Sequence, residues 1–313
     1  MNIEFWDPHF HIWDISENTK SGHDSKQLFA PGKKQIYTWD DYESDVQYKD
    51  LSFKHIGGAF IEAMSVCHTD SYDKHYEDYC INETSWASNE LKNSHKQYVL
   101  ISSAPLESPN IKNILSKLSN YPNVCGIRQI VNHNPSWPRN VVLGDLLDND
   151  NWINGFSELV NYNFSFELQL NPNQYRKALN IIKDFPDTNV IINHLGTPKL
   201  DDIQNKNNWF WEGMEAFSQF KNIYMKISML SYIINDWDDS NFINDAVHRI
   251  IDIFGINHCF FASNFPVENN IGWDVNRLLG AYEKISKIYD KEDMKKLFSV
   301  NAMSAYNLKN TLN

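Results

Sequence analysis

The stretch Ile3-Glu4-Phe5-Trp6-Asp7-Pro8-His9-Phe10-His11 near the start of the chain combines two patterns. Its first part, Ile3–Asp7, is a mostly apolar run that predicts a buried β-strand. Its end places His9 and His11 two residues apart, so their side chains leave an extended backbone on the same side. Two imidazoles in that arrangement can share one divalent cation. The same spacing is also compatible with a structural pair whose ring nitrogens are hydrogen-bonded.

The pattern of this first strand recurs along the chain, and most of the strands are followed by a stretch with helical periodicity. Further strands are predicted at His55–Glu62, Gln97–Ser102, Val124–Ile130, Phe164–Leu170, Asn189–His194, Asn222–Ser228 and His258–Ser263. Helices are predicted at Asn110–Asn120, Trp152–Tyr162, Pro172–Phe185, Trp209–Phe220, Asn241–Phe254 and Val275–Tyr289. About eight strands that alternate with helices favour an α/β fold, a (β/α)8 barrel of the TIM type, over a doubly wound sheet.

The domain organisation follows from length and from the lack of a linker. The chain has 313 residues and 42% hydrophobic residues, and no Pro-, Gly- or Ser-rich stretch divides it. We therefore predict a single barrel over residues 1–313. The segment 12–54 between the first two strands is too long for an ordinary loop and carries several aromatic residues. We predict that it is a cap over the barrel mouth.

Composition and charge exclude several classes of partner. The formal net charge of -12 argues against nucleic-acid binding, which needs a basic surface, and weakly against anionic membranes. The N-terminus has no signal-peptide pattern, and no apolar run is long enough to span a membrane. We expect a cytoplasmic protein whose partner is a small-molecule substrate. The sequence gives no indication of the oligomeric state.

Candidate site residues are found where predicted strands end, because catalytic groups of such barrels lie at the C-terminal ends of the strands. Polar residues at these ends are Glu62, Arg128, Gln169, His194 and Asn264. Arg128 has two interpretations, either a clamp for a substrate carboxylate or carbonyl, or a buried ion pair with a glutamate such as Glu62 or Glu167.

Other polar residues near the strand ends have a structural interpretation. Lys226 and Ser228 share one face of their strand and are interpreted as scaffolding inside the barrel. Asp7 is interpreted as a residue that caps or orients His9. Glu62 and Gln169 could orient a histidine, contact substrate or make structural hydrogen bonds.

Taken together, short segments in a fixed order resemble the amidohydrolase-2 family, and within it the lactonase branch. That branch includes 2-pyrone-4,6-dicarboxylate lactonase and the sugar-acid lactonases. The matching segments are Asp7–Asp14, Phe60–Ala63, Gly126–Gln129, Phe166–Gln169, Ile192–Gly196, Met225–Ser228 and Phe261–Val267. They span nearly the whole chain.

The resemblance implies a barrel that acts on a lactone or similar ester. It implies that His9, His11 and His194 line the site, where they could hold a metal ion, and that Arg128 binds substrate. The branch includes members that work without a metal, so we expect either no required cofactor or one divalent ion such as zinc. Many relatives carry Asp at the end of strand eight as metal ligand and base, where this chain has Asn264. An amide cannot take a proton at ordinary pH, so the standard base is missing.

We therefore expect a hydrolase that opens a small lactone or related ester of a sugar acid or carboxylated ring. His194 or Glu62 would act as the base, Asn264 would stand in the catalytic position of strand eight, and Gln169 would contact substrate with Arg128, His9 and His11. Two alternatives stay open from the sequence. One is a metal-dependent decarboxylase of the same superfamily, and the other is a barrel that binds a ligand without catalysis.

Overall fold

A computed structural model of the protein describes residues 3–14, 16, 35–47, 53–63, 74–136, 138–205 and 209–308. Ten strands lie in these ranges: β1 (Ile3–Phe10), β2 (Trp13–Asp14), β3 (Ile36–Tyr37), β4 (Phe53–Ile61), β5 (Gln97–Ser103), β6 (Val124–Arg128), β7 (Ser165–Leu168), β8 (Val190–Ile192), β9 (Ile223–Ile227) and β10 (Cys259–Phe261). All strands except β2 and β3 form one parallel sheet in the order β1-β4-β5-β6-β7-β8-β9-β10. The eight predicted strands and the predicted (β/α)8 barrel are confirmed.

Helices alternate with these strands. The α-helices are Trp39–Asp45, Lys74–Leu91, Ile111–Leu118, Pro138–Leu143, Asp150–Ser157, Tyr175–Ile182, Leu200–Gln204, Trp209–Phe217, Asn241–Phe254, Val267–Asn270, Val275–Ser286, Lys291–Lys295 and Asn301–Ala305. A π-helical turn, Lys296–Val300, lies between the last two. In the described parts of the chain, no helix is both long enough and apolar enough to cross a membrane.

The helix Asn241–Phe254 shows how the outer layer is held to the sheet. Its buried side chains follow the spacing of one helical face, and they are Ile243, Ala246, Val247, Ile250, Ile251 and Phe254. The hydroxyl of Ser240 accepts a hydrogen bond from the backbone N–H of Ile243 and so caps the first turn. The predicted bounds of this helix agree with the observed ones because both the cap and the periodicity are visible in the sequence.

Residues 302–306 pack against the N-terminal end of the barrel. The buried residues Ala302, Met303, Ala305 and Tyr306 pack in one cluster with strand residues such as Trp6. The side chain of Asn189, just before β8, donates to the carbonyl of Ala305, which places this segment at the N-terminal end of the barrel. This segment therefore covers the N-terminal end of the barrel, opposite the end where the strands finish.

The barrel closes between β10 and β1 through single contacts, because among the described residues these strands share one isolated bridge, Phe10 with Phe265. The carboxyl group of Asp7 holds this seam. Its Oδ1 accepts from the backbone N–H of Ser263 at 2.9 Å, and its Oδ2 accepts from the Ser263 hydroxyl and, at 2.7 Å, from the hydroxyl of Tyr42. Asp7 is fully buried. Its acceptor atoms therefore replace backbone bonds that the seam lacks.

Part of the predicted cap is visible beside the first strands. Tyr42 stacks on Phe10 with ring centroids 4.0 Å apart, and Trp39 meets Tyr98 edge to face at 4.4 Å. These contacts fix the helix Trp39–Asp45 against the barrel wall. Residues 15, 17–34 and 48–52 of the segment lie outside the described residues, so the cap over the mouth stays a prediction.

Replacing Asp7 by Ala is expected to destabilise the protein by about 3 kcal/mol, because buried donors of Ser263 and Tyr42 lose their acceptor. The matched control is Asp14→Ala, since Asp14 is an exposed aspartate that accepts from the backbone N–H and hydroxyl of Ser16. That change is expected to alter stability by no more than about 0.5 kcal/mol. Urea unfolding of both variants measures the difference. Equal losses would show that Asp7 does not hold the seam.

Candidate active site

The two histidines at the end of β1 point into the barrel and touch each other. The Nε2 atoms of His9 and His11 are 3.2 Å apart, and their rings meet edge to face. His11 Nδ1 lies 2.8 Å from the carbonyl oxygen of Ile61. A carbonyl can only accept, so this nitrogen carries the proton and His11 Nε2 is the acceptor. The structure thus brings the two imidazoles together, and their role stays a prediction.

Lys226 fixes the other half of this pair. Its ammonium group lies 3.2 Å from His9 Nδ1 and 2.7 Å from both carboxylate oxygens of Glu167. An ammonium group can only donate, so His9 Nδ1 accepts and the proton of His9 sits on Nε2, facing His11. The hydroxyl of Tyr306 also donates to Glu167. Lys226 is thus an interior residue, as predicted, and it also orients His9.

His194 approaches the pair from the turn after β8. Its ring centroid lies 4.7 Å from that of His9, and its Nδ1 lies 2.9 Å from the Ser228 hydroxyl. Both His194 and Leu195 have φ of 54°. Residues other than glycine rarely adopt this left-handed backbone conformation. The turn is therefore strained, and it directs the His194 ring inward.

Arg128 is held beside the histidines by a buried ion pair. Its Nε donates to Glu62 Oε1 at 2.6 Å, and another guanidinium N–H donates to the backbone carbonyl of Glu62. A further N–H donates to Gln169 Oε1 at 3.3 Å. The side chains of Arg128 and Glu62 are fully buried. Of the two glutamate partners considered from the sequence, Glu62 pairs with Arg128, and Glu167 pairs with Lys226.

The charges around the histidines keep them neutral. Burial, reinforced by Lys226, holds the pKa of His9 well below its usual value, and burial with Arg128 does the same for His194. Burial lowers the pKa of His11 to about 3. Burial also lowers the pKa of Lys226, to about 8, although Glu167 opposes the shift. At neutral pH three uncharged imidazoles therefore stand beside two paired cations.

Asn264 lies at the same end of the barrel and is 1% exposed. Its backbone N–H donates to the carbonyl of His9 at 2.8 Å, and its φ of 56° turns the chain away from β10. Asn tolerates this conformation better than most residues. All seven predicted site residues thus lie at the C-terminal ends of the strands and are buried. Their catalytic and binding roles stay predictions.

Several neighbours of these residues contact the site, although the sequence analysis gave them only a structural role or none. Lys226 contacts His9, and Ser228 contacts His194. The available signal in the sequence was that both residues share the polar face of their strand. Tyr306 reaches Glu167 from the C-terminal segment, which no strand pattern indicates. Asp7 does accept from the backbone N–H of His9 at 3.2 Å, as interpreted, but most of its bonds hold the seam.

A divalent cation fits these side chains only in part. Two histidine Nε2 atoms 3.2 Å apart could be ligands of one zinc ion. Lys226, however, places the proton of His9 on that Nε2, and Asn264 supplies no carboxylate. Within the described ranges, no three or more His, Cys, Asp or Glu side chains are arranged to hold a metal ion. We therefore derive no catalytic step through a metal.

Known proteins similar to this chain share its fold, and one family model matches nearly all of its sequence. Residues 6–308 match the family described as amidohydrolase. The uncharacterised protein y4mH of Sinorhizobium fredii is 26% identical over 97% of this chain and 99% of its own length. An amidohydrolase from Burkholderia multivorans with bound zinc has a TM-score of 0.75 at 13% identity, covering 97% of this chain and 99% of that one. A protein described as a probable 2-pyrone-4,6-dicarboxylic acid hydrolase, from Acinetobacter baumannii with bound citric acid, has a TM-score of 0.68 at 14% identity, covering 98% and 100%.

Replacing Lys226 by Met is expected to destabilise the protein by about 3–5 kcal/mol, because Glu167 would be left as a buried carboxylate without its cation. Lys96→Met is the matched control. Lys96 and Glu43 form an ion pair of similar length, 2.6 Å against 2.7 Å, but their side chains are 31% and 26% exposed. We expect that control to cost at most about 1 kcal/mol. Chemical denaturation at pH 7 compares the two, and similar losses would contradict the distinction.

Proposed function

This chain belongs to the amidohydrolase family, and on that basis we propose that it hydrolyses a small lactone or related ester of a sugar acid or carboxylated ring. The observation that supports this reaction is the buried convergence of His9, His11, His194 and Arg128 at the C-terminal end of the barrel. Burying so many polar groups costs free energy and adds nothing to an apolar core. Their use in binding and catalysis accounts for that cost.

The imidazole of His194 is suited to stabilising an oxyanion. When water attacks a lactone carbonyl, negative charge develops on the carbonyl oxygen, and fixed hydrogen-bond donors in a buried site stabilise it. His194 can donate from Nε2 when the Ser228 hydroxyl donates to its Nδ1. The nearby charge of Arg128 favours the oxyanion further. Burial, with Arg128 and Lys226, lowers the pKa of His194 and makes its protonation unfavourable, so we assign His194 to the oxyanion rather than to proton abstraction.

Arg128 is suited to orienting a substrate that carries a carboxylate. Its guanidinium is fixed by Glu62 on one side and by Gln169 on the other, so it loses little side-chain entropy when a ligand approaches. Glu62 is committed to this ion pair. We therefore assign Glu62 and Gln169 to positioning Arg128, and Arg128 to the substrate.

A panel of small lactones, followed by proton release in weakly buffered solution, tests the proposal. At least one lactone is expected to turn over, and His194→Ala should lower kcat/KM by about 10²–10³-fold because a preorganised oxyanion donor is lost. Ser228→Ala keeps the imidazole and removes its orienting partner, so a loss of about 10–100-fold is expected.

His95→Ala is the control, since His95 is an exposed histidine between a helix and β5. Its rate should equal that of the unaltered protein, and thermal unfolding should show that all three variants are folded. Unchanged turnover in His194→Ala would overturn the assignment of His194. A complete lack of lactone and ester turnover, with ligands that still raise the melting temperature, would indicate a binding protein instead.

The same panel separates the proposal from metal-dependent chemistry. The protein is assayed after treatment with EDTA and again after addition of zinc. Equal rates are expected because Lys226 keeps a proton on His9 Nε2 and Asn264 supplies no carboxylate ligand. If the rate depends on zinc, a cation held by His9 and His11 stabilises the oxyanion in place of His194. Release of carbon dioxide from hydroxybenzoates would instead indicate a decarboxylase.

A further inference from the structure

The carboxyl group of Glu268 lies one turn beyond Asn264 and belongs to none of the ion pairs described above. After β10 the chain turns at Asn264, passes through a cis Phe265–Pro266 bond and enters the short helix Val267–Asn270. The backbone N–H of Glu268 donates to the carbonyl of Asn264 at 3.3 Å. This bond keeps the two side chains close together.

Glu268 is 1% exposed and only half satisfied. Its Oε2 accepts a short hydrogen bond from the hydroxyl of Ser231, in the turn that follows β9. Its Oε1 has no hydrogen-bond partner among the described residues, and the same holds for Nδ2 of Asn264. The two side chains are close enough for the Asn264 amide to favour the ionised carboxylate, but they form no hydrogen bond of normal geometry. These unsatisfied atoms need an explanation, because an unmade buried hydrogen bond costs free energy.

A water molecule would satisfy both atoms. It could accept from Asn264 Nδ2 and donate to Glu268 Oε1 when that carboxylate is ionised. The position is also next to the site, since Asn264 donates its backbone N–H to the carbonyl of His9. A water held there lies at the same end of the barrel as His194, the residue proposed to stabilise the oxyanion.

The carboxyl group has the acidity that such a role requires. Burial raises the pKa of Glu268 to about 7, while the Ser231 hydroxyl and the Asn264 amide oppose the shift. The titratable groups that interact with it are Tyr232 and Tyr282, and burial raises the pKa of both above the usual tyrosine value. Neither tyrosine titrates near neutral pH. A base with a pKa near the working pH is the most effective kind.

We propose that Glu268 is the general base of this enzyme and that Asn264 orients the water whose proton Glu268 removes. The inference rests on the proposed lactone hydrolysis and names the proton acceptor for it. Neither residue requires a metal ion for this role.

The water oxygen forms a bond to the lactone carbonyl carbon, the π electron pair moves to the carbonyl oxygen, and the proton of the water moves to Glu268 Oε1. The tetrahedral intermediate then collapses and the ring C–O bond breaks. The leaving alkoxide takes the proton back from Glu268, which returns to its ionised form. The product is the open hydroxy acid, whose carboxyl proton goes to solvent.

Glu268→Gln tests the proposal with little change of shape, because the amide oxygen can still accept from Ser231. With a lactone substrate from the panel, we expect kcat to fall by about 10²–10⁴-fold. In the unaltered protein kcat/KM should rise with pH through a midpoint near 7, and in the variant this limb should disappear. Ser231→Ala removes a bond that favours the ionised carboxylate, so it should move the midpoint to higher pH. Glu292→Gln, at an exposed helix position, is the control and should keep the normal profile.

A stability measurement checks the titration without any substrate. The pKa of Glu268 in the folded chain exceeds its ordinary value of 4.5, so the protonated group contributes stability that is fully present below that value and lost as pH rises through about 7. The melting temperature of the unaltered protein relative to Glu268→Gln should therefore fall between about pH 5 and pH 7.5 and then level off. A constant difference would overturn the assignment.

These outcomes keep the two proposals distinct. Lactone turnover that is unchanged in folded Glu268→Gln would overturn the role of Glu268 and leave lactone hydrolysis standing. Absence of turnover in the unaltered protein would overturn the function itself. A loss of activity in Glu268→Gln that keeps the same pH midpoint would show a structural role and would also overturn the proposal.

Discussion

The carboxyl group of Asp7 is the interaction on which both the barrel and its site depend. It bonds the backbone and hydroxyl of Ser263 to β1 across the seam where the sheet has almost no ladder of its own. Through the same seam the backbone of Asn264 bonds to His9. The residues that close the barrel are therefore immediate neighbours of the residues that form the mouth. The bond between Asn264 and His9 therefore couples the turn after β10 to a histidine of the site.

Barrel geometry decides which charged groups meet inside. Arg128 and Glu167 are direct neighbours across β6 and β7, yet they do not form an ion pair with each other. Arg128 pairs with Glu62, which follows a strand two places away, and Glu167 pairs with Lys226, two strands away on the other side. In a closed barrel, side chains of alternate strands share one layer. The two ion pairs follow from this layering, and both are fully buried, so each cation is balanced where it stands.

Burial, reinforced by the two neighbouring cations, leaves the histidines uncharged and sets what they can do. An imidazole beside a lysine and an arginine gains nothing from a proton, so it serves as a fixed hydrogen-bond donor or acceptor. The low polarity of the buried site strengthens such bonds. Glu268 lies apart from both ion pairs and titrates near neutral pH. Burial is the main cause in both cases: it disfavours the charged imidazole and the charged carboxylate alike, so the histidines stay neutral and the pKa of Glu268 rises.

The sequence by itself determined the strand positions, the (β/α)8 barrel and the end of the barrel where His9, His11, Arg128 and His194 lie. Apolar periodicity and side-chain alternation are local properties, so they can be read from neighbouring residues. Only the tertiary structure decided the partners of Arg128 and Lys226, the seam role of Asp7 and the place of Glu268. Those contacts join residues far apart in the chain, such as Asp7 and Ser263, and they depend on strand stagger and barrel closure. No local pattern encodes that geometry, because it arises only when all eight strands have assembled.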